Sequence, residues 1–537
     1  MDDPEGIGER SHHGSGQGMT TAILVFDIGT TSVKAALFDD SGNPIASASV
    51  PYETEYPQSG WAQQHPNRFW EAAVAASRTL MQRCAATTST IVAIGLTGHM
   101  NGCVLVDRQG NPTHPALIHA DSRSTGECDR LDRLWGQQEM YRRTGNRIDE
   151  HLSLPKLMWL EKYRQSEFSK SAWFLNAKDY LRFKLTGQLG TTDYSDASLT
   201  GAFDQQRQVW DTEVLESLEL PLHLFPHPKA STELDGTLSR ESAVMMGLTE
   251  GIPVSVGGGD AACATRGAGV LGTRQAYGAI GSSAWISTLA ENPVPDQLMR
   301  MQHFLDLEGR LYNVCGTVQS AGIALDWIRH LLGENPSETS DSYEISEGLL
   351  RSVPIGSSGV LFIPYLMGER TPHWDANARG AYIGLSLSTD KPTLLRATYE
   401  GVAFALRDCM NVYAELGIDI RSFTLLGGGV RSPFWQEIIG ETLGIPLHRH
   451  PYPTQATALG AALAAGVAVG MWKDISEAIA KTTKDYEQVS LDHDRMRSYG
   501  KAYQVYERVY PSLKSIYRDL GTIRDTLVKE TKKEVFI

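Results

Sequence analysis

The sequence predicts an α/β fold built as two similar lobes facing each other across a cleft. Three observations carry this. A hairpin pattern at residues 22–38 returns at 275–287 without its aspartate. A strand that ends in three glycines and runs into a helix also occurs twice, at 254–260 and 423–430. At 537 residues the chain exceeds what one hydrophobic core can serve, so two large domains are expected.

Taken in order, Ala22-Ile23-Leu24-Val25-Phe26 is a buried-type strand, followed by the turn Asp27-Ile28-Gly29-Thr30-Thr31-Ser32. Residues 33–38 make a second strand. Turn residues at 39–44 then lead to a third, alternating strand at 45–50. An amphipathic helix is expected over 70–84, a strand over 91–96, and a polar turn at Gly98-His99-Met100-Asn101-Gly102. A short strand follows at 103–106, then helices at 124–135, 155–163 and 177–185. Apolar alternation at Ile252, Val254 and Val256 predicts a strand before Gly257-Gly258-Gly259-Asp260, and residues 261–267 a helix. The lobe boundary is placed at 268–274. Beyond it come the second hairpin, the strand at 423–426 and a helix at 433–443, with a charged helical tail from Asp492. The domains are accordingly 21–270 and 271–537. Residues 1–20 are a polar Gly/Ser/His-rich tail, disordered or cloning-derived, with Met19 a candidate native start.

Composition excludes several classes. A formal charge of −14 disfavours nucleic acid or an anionic membrane as partner. Six scattered cysteines without a CxxC pair suit reduced thiols in the cytoplasm. No apolar run reaches the length of a membrane span.

The chemistry concentrates at Gly257–Asp260. Glycines there let backbone N–H groups approach an anion, and Asp260 is placed to take a proton from an attacking hydroxyl. The competing account is a tight turn with an aspartate capping a helix. Asp27 at a strand end, followed by Gly29, Thr30, Thr31 and Ser32, offers one carboxylate and several donors. No G-x-x-x-x-G-K-[ST] pattern and no protein-kinase H-R-D or D-F-G set occurs.

The residues Asp27–Ser32, Gly257–Asp260, Gly281-Ser282-Ser283 and Leu426–Arg431 resemble, in that order, the motifs of FGGY carbohydrate kinases. These belong to the actin/hexokinase superfamily of duplicated ribonuclease-H-like domains. Pro364–Pro372 is similar to the second-lobe signature of xylulokinases, and Tyr399–Val402 and Ala456–Ala462 also fit. The resemblance spans roughly residues 22–480 and implies two ribonuclease-H-like domains around a central ATP/sugar cleft. It implies transfer of the γ-phosphoryl of ATP to a terminal hydroxyl of a ketopentose, xylulose foremost, with Mg²⁺ as the metal.

Residue by residue, the resemblance makes Asp260 the catalytic base and Asp27 the metal carboxylate. Gly29, Thr30, Thr31 and Ser32 would meet the β- and γ-phosphates, and Gly281, Ser282 and Ser283 would face the phosphates from the second lobe. Gly427, Gly428 and Gly429 would let adenine or ribose lie on bare backbone, with strand–helix packing as the competing account. Sugar contacts fall to His99, Met100, Asn101 and Asp260. Two positions depart from the xylulokinase pattern: Asn101 stands where a His is usual, and Ala261 where an Asn is usual. Both put the identity of the sugar in question. Trp61, Asp121 and Arg123 match further positions, the latter two as sugar contacts or as a buried ion pair. Glu369-Arg370 is expected at the lobe interface, as an ion pair or as ligand contacts, Glu400 as a packed, hydrogen-bonded carboxylate in an apolar helix, and Lys34 as an exposed strand lysine. The partners implied are a sugar and ATP, with a homodimer as the oligomer considered. Two other readings stand beside this one: the same family acting on another pentulose, a tetritol, glycerol or gluconate, and a non-catalytic ATP-binding sensor.

Overall fold

The computed structural model describes residues 21–84, 90–333, 347–483 and 486–534. The expected tail at 1–20 lies outside the described residues. Two seven-stranded sheets form the framework. The first contains β1 (Thr21–Ile28), β2 (Ser32–Asp39), β3 (Pro44–Pro51), β4 (Thr90–Gly98), β5 (Leu234–Thr237), β6 (Pro253–Ser255) and β7 (Gly258–Gly259). Its order is β5-β6-β4-β1-β2-β3, with β7 also pairing β4. The second contains β8 (Gln275–Ile280), β9 (Ala284–Ala290), β10 (Gln302–Leu305), β11 (Tyr312–Val318), β12 (Ser422–Leu426), β13 (Leu447–Arg449) and β14 (Glu487–Gln488), in the order β10-β11-β9-β8-β12-β13-β14.

Each sheet shows the same design. In each, three neighbouring strands run antiparallel, β1-β2-β3 and β8-β9-β11 (the latter with β10 added beyond β11), and a further strand lies beside the first in parallel: β4 to β1, and β12 to β8. This corrects one equivalence drawn from sequence. The triple-glycine strand at 254–259 lies outside β4, whereas the one at 422–429 occupies the position of β4 itself. The glycine runs look alike because both strands end against a neighbour's backbone, not because they are repeats of one element.

β1 shows why an unbroken apolar run was needed. Ala22, Leu24, Phe26 and Ile28 pack on one face with Phe69, Ala73 and Leu80 of α1 (Asn67–Arg83). Ile23 and Val25 pack on the other face with Leu459, Ala461 and Ala462. A central strand covered on both sides has no polar face to present. Two helices then cross at the junction of the lobes: α2 (Asp260–Gly267) after β7 and α3 (Ala456–Ala468) after β13. A Cβ on Gly267 would stand 1.8 Å from the Ala456 carbonyl oxygen, and one on Gly460 1.9 Å from that of Cys263. Only glycines allow this backbone contact, which fixes where α2 begins and so where Asp260 sits. The charged tail forms two helices, His493–Tyr506 and Val509–Glu534.

Candidate active site

The first hairpin turn is held by its carbonyls. Gly29 N–H donates to the Ser32 carbonyl at 3.0 Å, Tyr52 N–H to that of Thr31 at 2.9 Å, and Gln64 Nε2 to that of Thr30 at 2.7 Å. The Tyr52 hydroxyl donates to the Gly29 carbonyl. Thr30 and Thr31 therefore keep their hydroxyls uncommitted among the described residues. Asp27 lies opposite Lys34 on β2 and Thr97 on β4. Burial pushes its carboxyl above the usual range, and Lys34 pulls it partly back. Lys34 lies on the strand as expected, half-buried, and its Nζ donates to the Thr454 carbonyl at 3.0 Å, beyond β13 of the other sheet.

Asp260 is the first residue of α2, with Gly259 as the preceding cap position. Burial, and then the charge of Asp27, push its carboxyl up to about 7, near neutrality. Its Oδ1 accepts the Ala261 N–H at 2.7 Å. The glycines before it answer to packing. Gly257 has φ +75°, and a Cβ there would meet the Leu96 carbonyl at 2.4 Å. One on Gly259 would meet the Met100 side chain at 2.6 Å. Their N–H groups are already committed, Gly257 to the Ser231 carbonyl and Gly259 to Ser195 Oγ at 2.9 Å. The expectation that these amides hold an anion is thus replaced: close packing against β4 is what requires glycine, and its product is the position of Asp260.

Ser195 opens a network that the sequence reading missed. Its hydroxyl donates to Asp193, which also accepts from Ser231 Oγ at 3.2 Å. Buried Lys178 joins Asp179, Asp193 and Asp196 at 2.6, 2.8 and 3.1 Å. A buried ammonium with three carboxylates stiffens the ground beneath Asp260. The acid-rich run Asp193-Tyr194-Ser195-Asp196 was the visible signal.

In the second lobe, Gly281 N–H donates to the Ser283 carbonyl at 2.8 Å. The N–H groups of Gly322 and Ile323 anchor the turn through the Gly281 and Ser282 carbonyls. Gly281 and Ser282 are exposed. The triple glycine separates into two kinds. Gly427 has φ +86°, and a Cβ there would lie 2.6 Å from the Ile280 carbonyl oxygen; Gly429 would press on the Ile280 side chain at 2.8 Å. Gly428 is exposed with nothing within 4 Å of its absent Cβ. Packing accounts for the outer two, and open backbone is offered at the middle one.

The structure thus gathers Asp27, Asp260 and the 98–101 turn on the first lobe, and 281–283 with 427–429 on the second. No hydrogen bond or ion pair joins these two groups among the described residues.

Around the 98–101 turn, His99 is 3 % exposed, its ring 6.0 Å from Phe69 and 5.9 Å from His119. Burial holds it down at about 3, and neither ring nitrogen has a partner. Met100 is buried beneath Gly259. Asn101 has φ +62°, a left-handed conformation that Asn tolerates well, and its Oδ1 is unpartnered. Asp121 and Arg123 form a buried ion pair at 2.7 Å, the guanidinium lying 3.9 Å over Trp61. Asp121 also accepts the Ala62 N–H at 2.6 Å, so this group braces the wall.

Glu369 and Arg370 do not form the expected side-chain pair. Glu369 Oε1 accepts backbone N–H groups from Gln319 and Arg370, and burial pushes its carboxyl up to about 8. Arg370 instead approaches Asp149 of the first lobe at 3.9 Å. Glu400 is as expected, bonded to Arg396 Nε at 2.9 Å and to Ser357 Oγ at 2.9 Å.

Comparison with known proteins adds an independent line. Residues 22–267 match the model for the FGGY family of carbohydrate kinases, N-terminal domain, and residues 276–469 that for its C-terminal domain. A xylulose kinase of Staphylococcus epidermidis (strain ATCC 12228 / FDA PCI 1200) is 31% identical over 504 residues, covering 93% of this chain and 99% of its own. A glycerol kinase of Gloeobacter violaceus is also 31% identical, over 501 residues, 92% of this chain and 97% of its own. The solved structure of a xyloylose kinase from Brucella ovis superimposes with a TM-score of 0.85 at 30% identity, covering 92% of this chain and 100% of that one.

Proposed function

The chain belongs to the FGGY family of carbohydrate kinases, and on that premise we propose that it transfers the γ-phosphoryl of ATP to a terminal hydroxyl of a ketopentose, xylulose first. The observation that carries the proposal is Asp260, a carboxyl near neutrality at the start of a helix, beside a second half-buried carboxylate, Asp27. A proton acceptor is most effective when its pKa lies near working pH, since it is then ionised yet still basic. The proposed setting is the cytoplasm, in keeping with six free cysteines.

In this reading Asp260 takes the proton of the attacking sugar hydroxyl, held in place by the Ser195–Gly259 contact beneath it. Thr30 and Thr31 donate to phosphate oxygens from the first lobe, and the 281–283 turn from the second. Gly428 lets the nucleoside lie against bare backbone. Asp27 and Asp260 make a donor set of hard oxygens whose mutual repulsion favours a divalent cation. Asp27 would hold Mg²⁺ directly or through water. When bound, the ion would supply neutralisation of phosphate charge. Closure of the lobes would exclude water from the reacting groups.

The choice of sugar rests on fewer residues. Identity to a glycerol kinase equals that to a xylulose kinase, so overall similarity does not select the substrate. His99 and Asn101 retain unpartnered polar atoms able to meet hydroxyls, whereas Ala261 offers none. A second reading therefore keeps the chemistry and changes the acceptor to another pentulose, a tetritol, glycerol or gluconate. A coupled ADP-release assay with Mg-ATP across these acceptors decides. Highest kcat/KM with D-xylulose is expected; a higher value with another acceptor replaces it, and no sugar-dependent release at all rejects the kinase assignment. Excess EDTA should abolish turnover, and undiminished rates would remove Mg²⁺ from the account.

A further inference from the structure

The run Gly257-Gly258-Gly259 that delivers Asp260 has no side chain to brace it, and glycine backbone is the freest to move. Its only handles are its own N–H and carbonyl groups. Two buried serines hold two of them. The Ser231 carbonyl accepts the Gly257 N–H at 3.2 Å, and Ser195 Oγ accepts the Gly259 N–H at 2.9 Å. The serines come from separate segments, yet both hydroxyls donate to one atom, Asp193 Oδ2.

A helix cap does not account for this convergence. Asp193 does cap the helix Tyr194–Ser198, accepting the N–H groups of Ser195 at 2.8 Å and Asp196 at 3.4 Å. Capping asks nothing of the two hydroxyls, each of which stands behind a glycine N–H. Nor does it call for a buried ammonium. Lys178 Nζ lies 2.8 Å from Asp193 Oδ1, with Asp179 and Asp196 beside it, each of the four residues 1 % exposed or less. Burial alone would lower the Lys178 ammonium, and the three carboxylates overcome that and push it up. Beside a fixed positive charge Asp193 stays an acceptor only. Each serine must then turn its single hydroxyl proton toward Asp193, which leaves the Ser195 lone pairs to Gly259.

We propose that Asp193 is a positioning residue for phosphoryl transfer: one carboxylate oxygen fixes both ends of the glycine run, through Ser195 and Ser231, and so aims the Asp260 carboxylate at the acceptor hydroxyl. This role rests on the reading above that Asp260 takes the proton. Its mode of action is geometric. Burial first, and then Asp27, account for the raised Asp260 carboxyl. Loosening the run therefore changes where the base stands, not the pH at which it works. Displacing a reacting group by about 1 Å costs about a hundredfold in rate.

Sugar-dependent ADP release by the full chain, well below its melting temperature, tests this. Ser195→Ala should lower kcat by about tenfold to a hundredfold, with the KM for ATP and for the acceptor within about twofold and the acidic limb still near 7. Ser231→Ala should act in the same direction and less, since its carbonyl still holds Gly257. Asp193→Asn should cost as much as the two serine changes together, and adding Ser195→Ala to it should cost no more than about twofold further. If Asp193→Asn does not fold, the serine variants and their double carry the test. Crystals of Ser195→Ala should show the Asp260 carboxylate displaced from its wild-type place, whatever the acceptor proves to be. Wild-type kcat in Ser195→Ala with only a lower melting temperature, an acidic limb moved away from 7, or an undisplaced Asp260 would each overturn the proposal. Wild-type activity in Asp260→Asn would instead overturn the base itself, whatever the serine variants do.

Discussion

The turn between β1 and β2 and the turn between β8 and β9 occupy the same place in their sheets, each leading from the strand that takes a parallel neighbour. They differ in charge. The first follows Asp27 and Ile28, while the place of Asp27 in β8 is taken by Ala279, followed by Ile280, glycine and serines. Asp260 also belongs to the first lobe's sheet connections. The fold is thus doubled while the two carboxylates to which the proposal gives acid–base and metal chemistry, Asp260 and Asp27, lie in one copy. The second copy supplies uncharged backbone and hydroxyls, the surface expected to face polyanionic phosphate and a flat base. In the proposed reading, duplication provides the cleft and divergence of a few turn residues divides the labour within it.

That division can be broken from either side. The largest effect is expected at Asp260. Asp260→Asn should lower kcat/KM for sugar phosphorylation by about a thousandfold. It should also raise the melting temperature at pH 8. The folded-state pKa of Asp260 lies above the unfolded value, so its contribution to stability falls as pH rises from about 4 to 7 and stays low above that. Retained activity, or a lower melting temperature at pH 8, contradicts the assignment.

The next largest effect separates the glycines of the second lobe. Gly427→Ala should destabilise the fold by about 3 kcal/mol, through strain at positive φ and contact with the Ile280 carbonyl. Gly428→Ala should leave the unfolding midpoint alone and raise the KM for ATP. Equal effects of the two on stability would erase the distinction drawn between packing and open backbone.

Smaller again is specificity. Combining Asn101→His with Ala261→Asn should move the kcat/KM ratio between D-xylulose and the next best acceptor by about tenfold. An unchanged ratio would place selection elsewhere on the wall, where the His99 and His119 rings lie 5.9 Å apart.

Much of the framework was legible because its signals are local. The apolar run at 22–26, the turn residues at 39–44 and the periodicity at 433–443 each act within a few residues. What escaped depended on distance in sequence. That the 254–259 strand lies outside β4 is set by the pairing of Val254 with Ile94, which no local pattern records. The long helix Lys391–Glu415 was legible only as an apolar helix around Glu400, without bounds, because its buried residues ring it almost completely and leave no amphipathic stripe. At the site, Asp27, Asp260 and the serines of 281–283 were visible as motifs. The Lys178–Asp193–Ser195 support shows in the sequence only as the acid-rich run 193–196, which went unused because charged residues usually signal surface. The glycines of 257–259 were seen but assigned to anions, when the nearness of Leu96 and Met100 is what requires them.

The pH dependence of kcat/KM for D-xylulose, measured by ADP release between pH 5 and 9 in wild type and Asp260→Asn, bears most directly on the central claim. A wild-type profile that falls tenfold per unit below about 7 and is level above it, with that limb absent from the residual activity of the variant, is what a carboxylate base pushed up to about 7 predicts. A wild-type profile flat across this range, or the same acidic limb persisting in Asp260→Asn, would show that the proton is taken by another group.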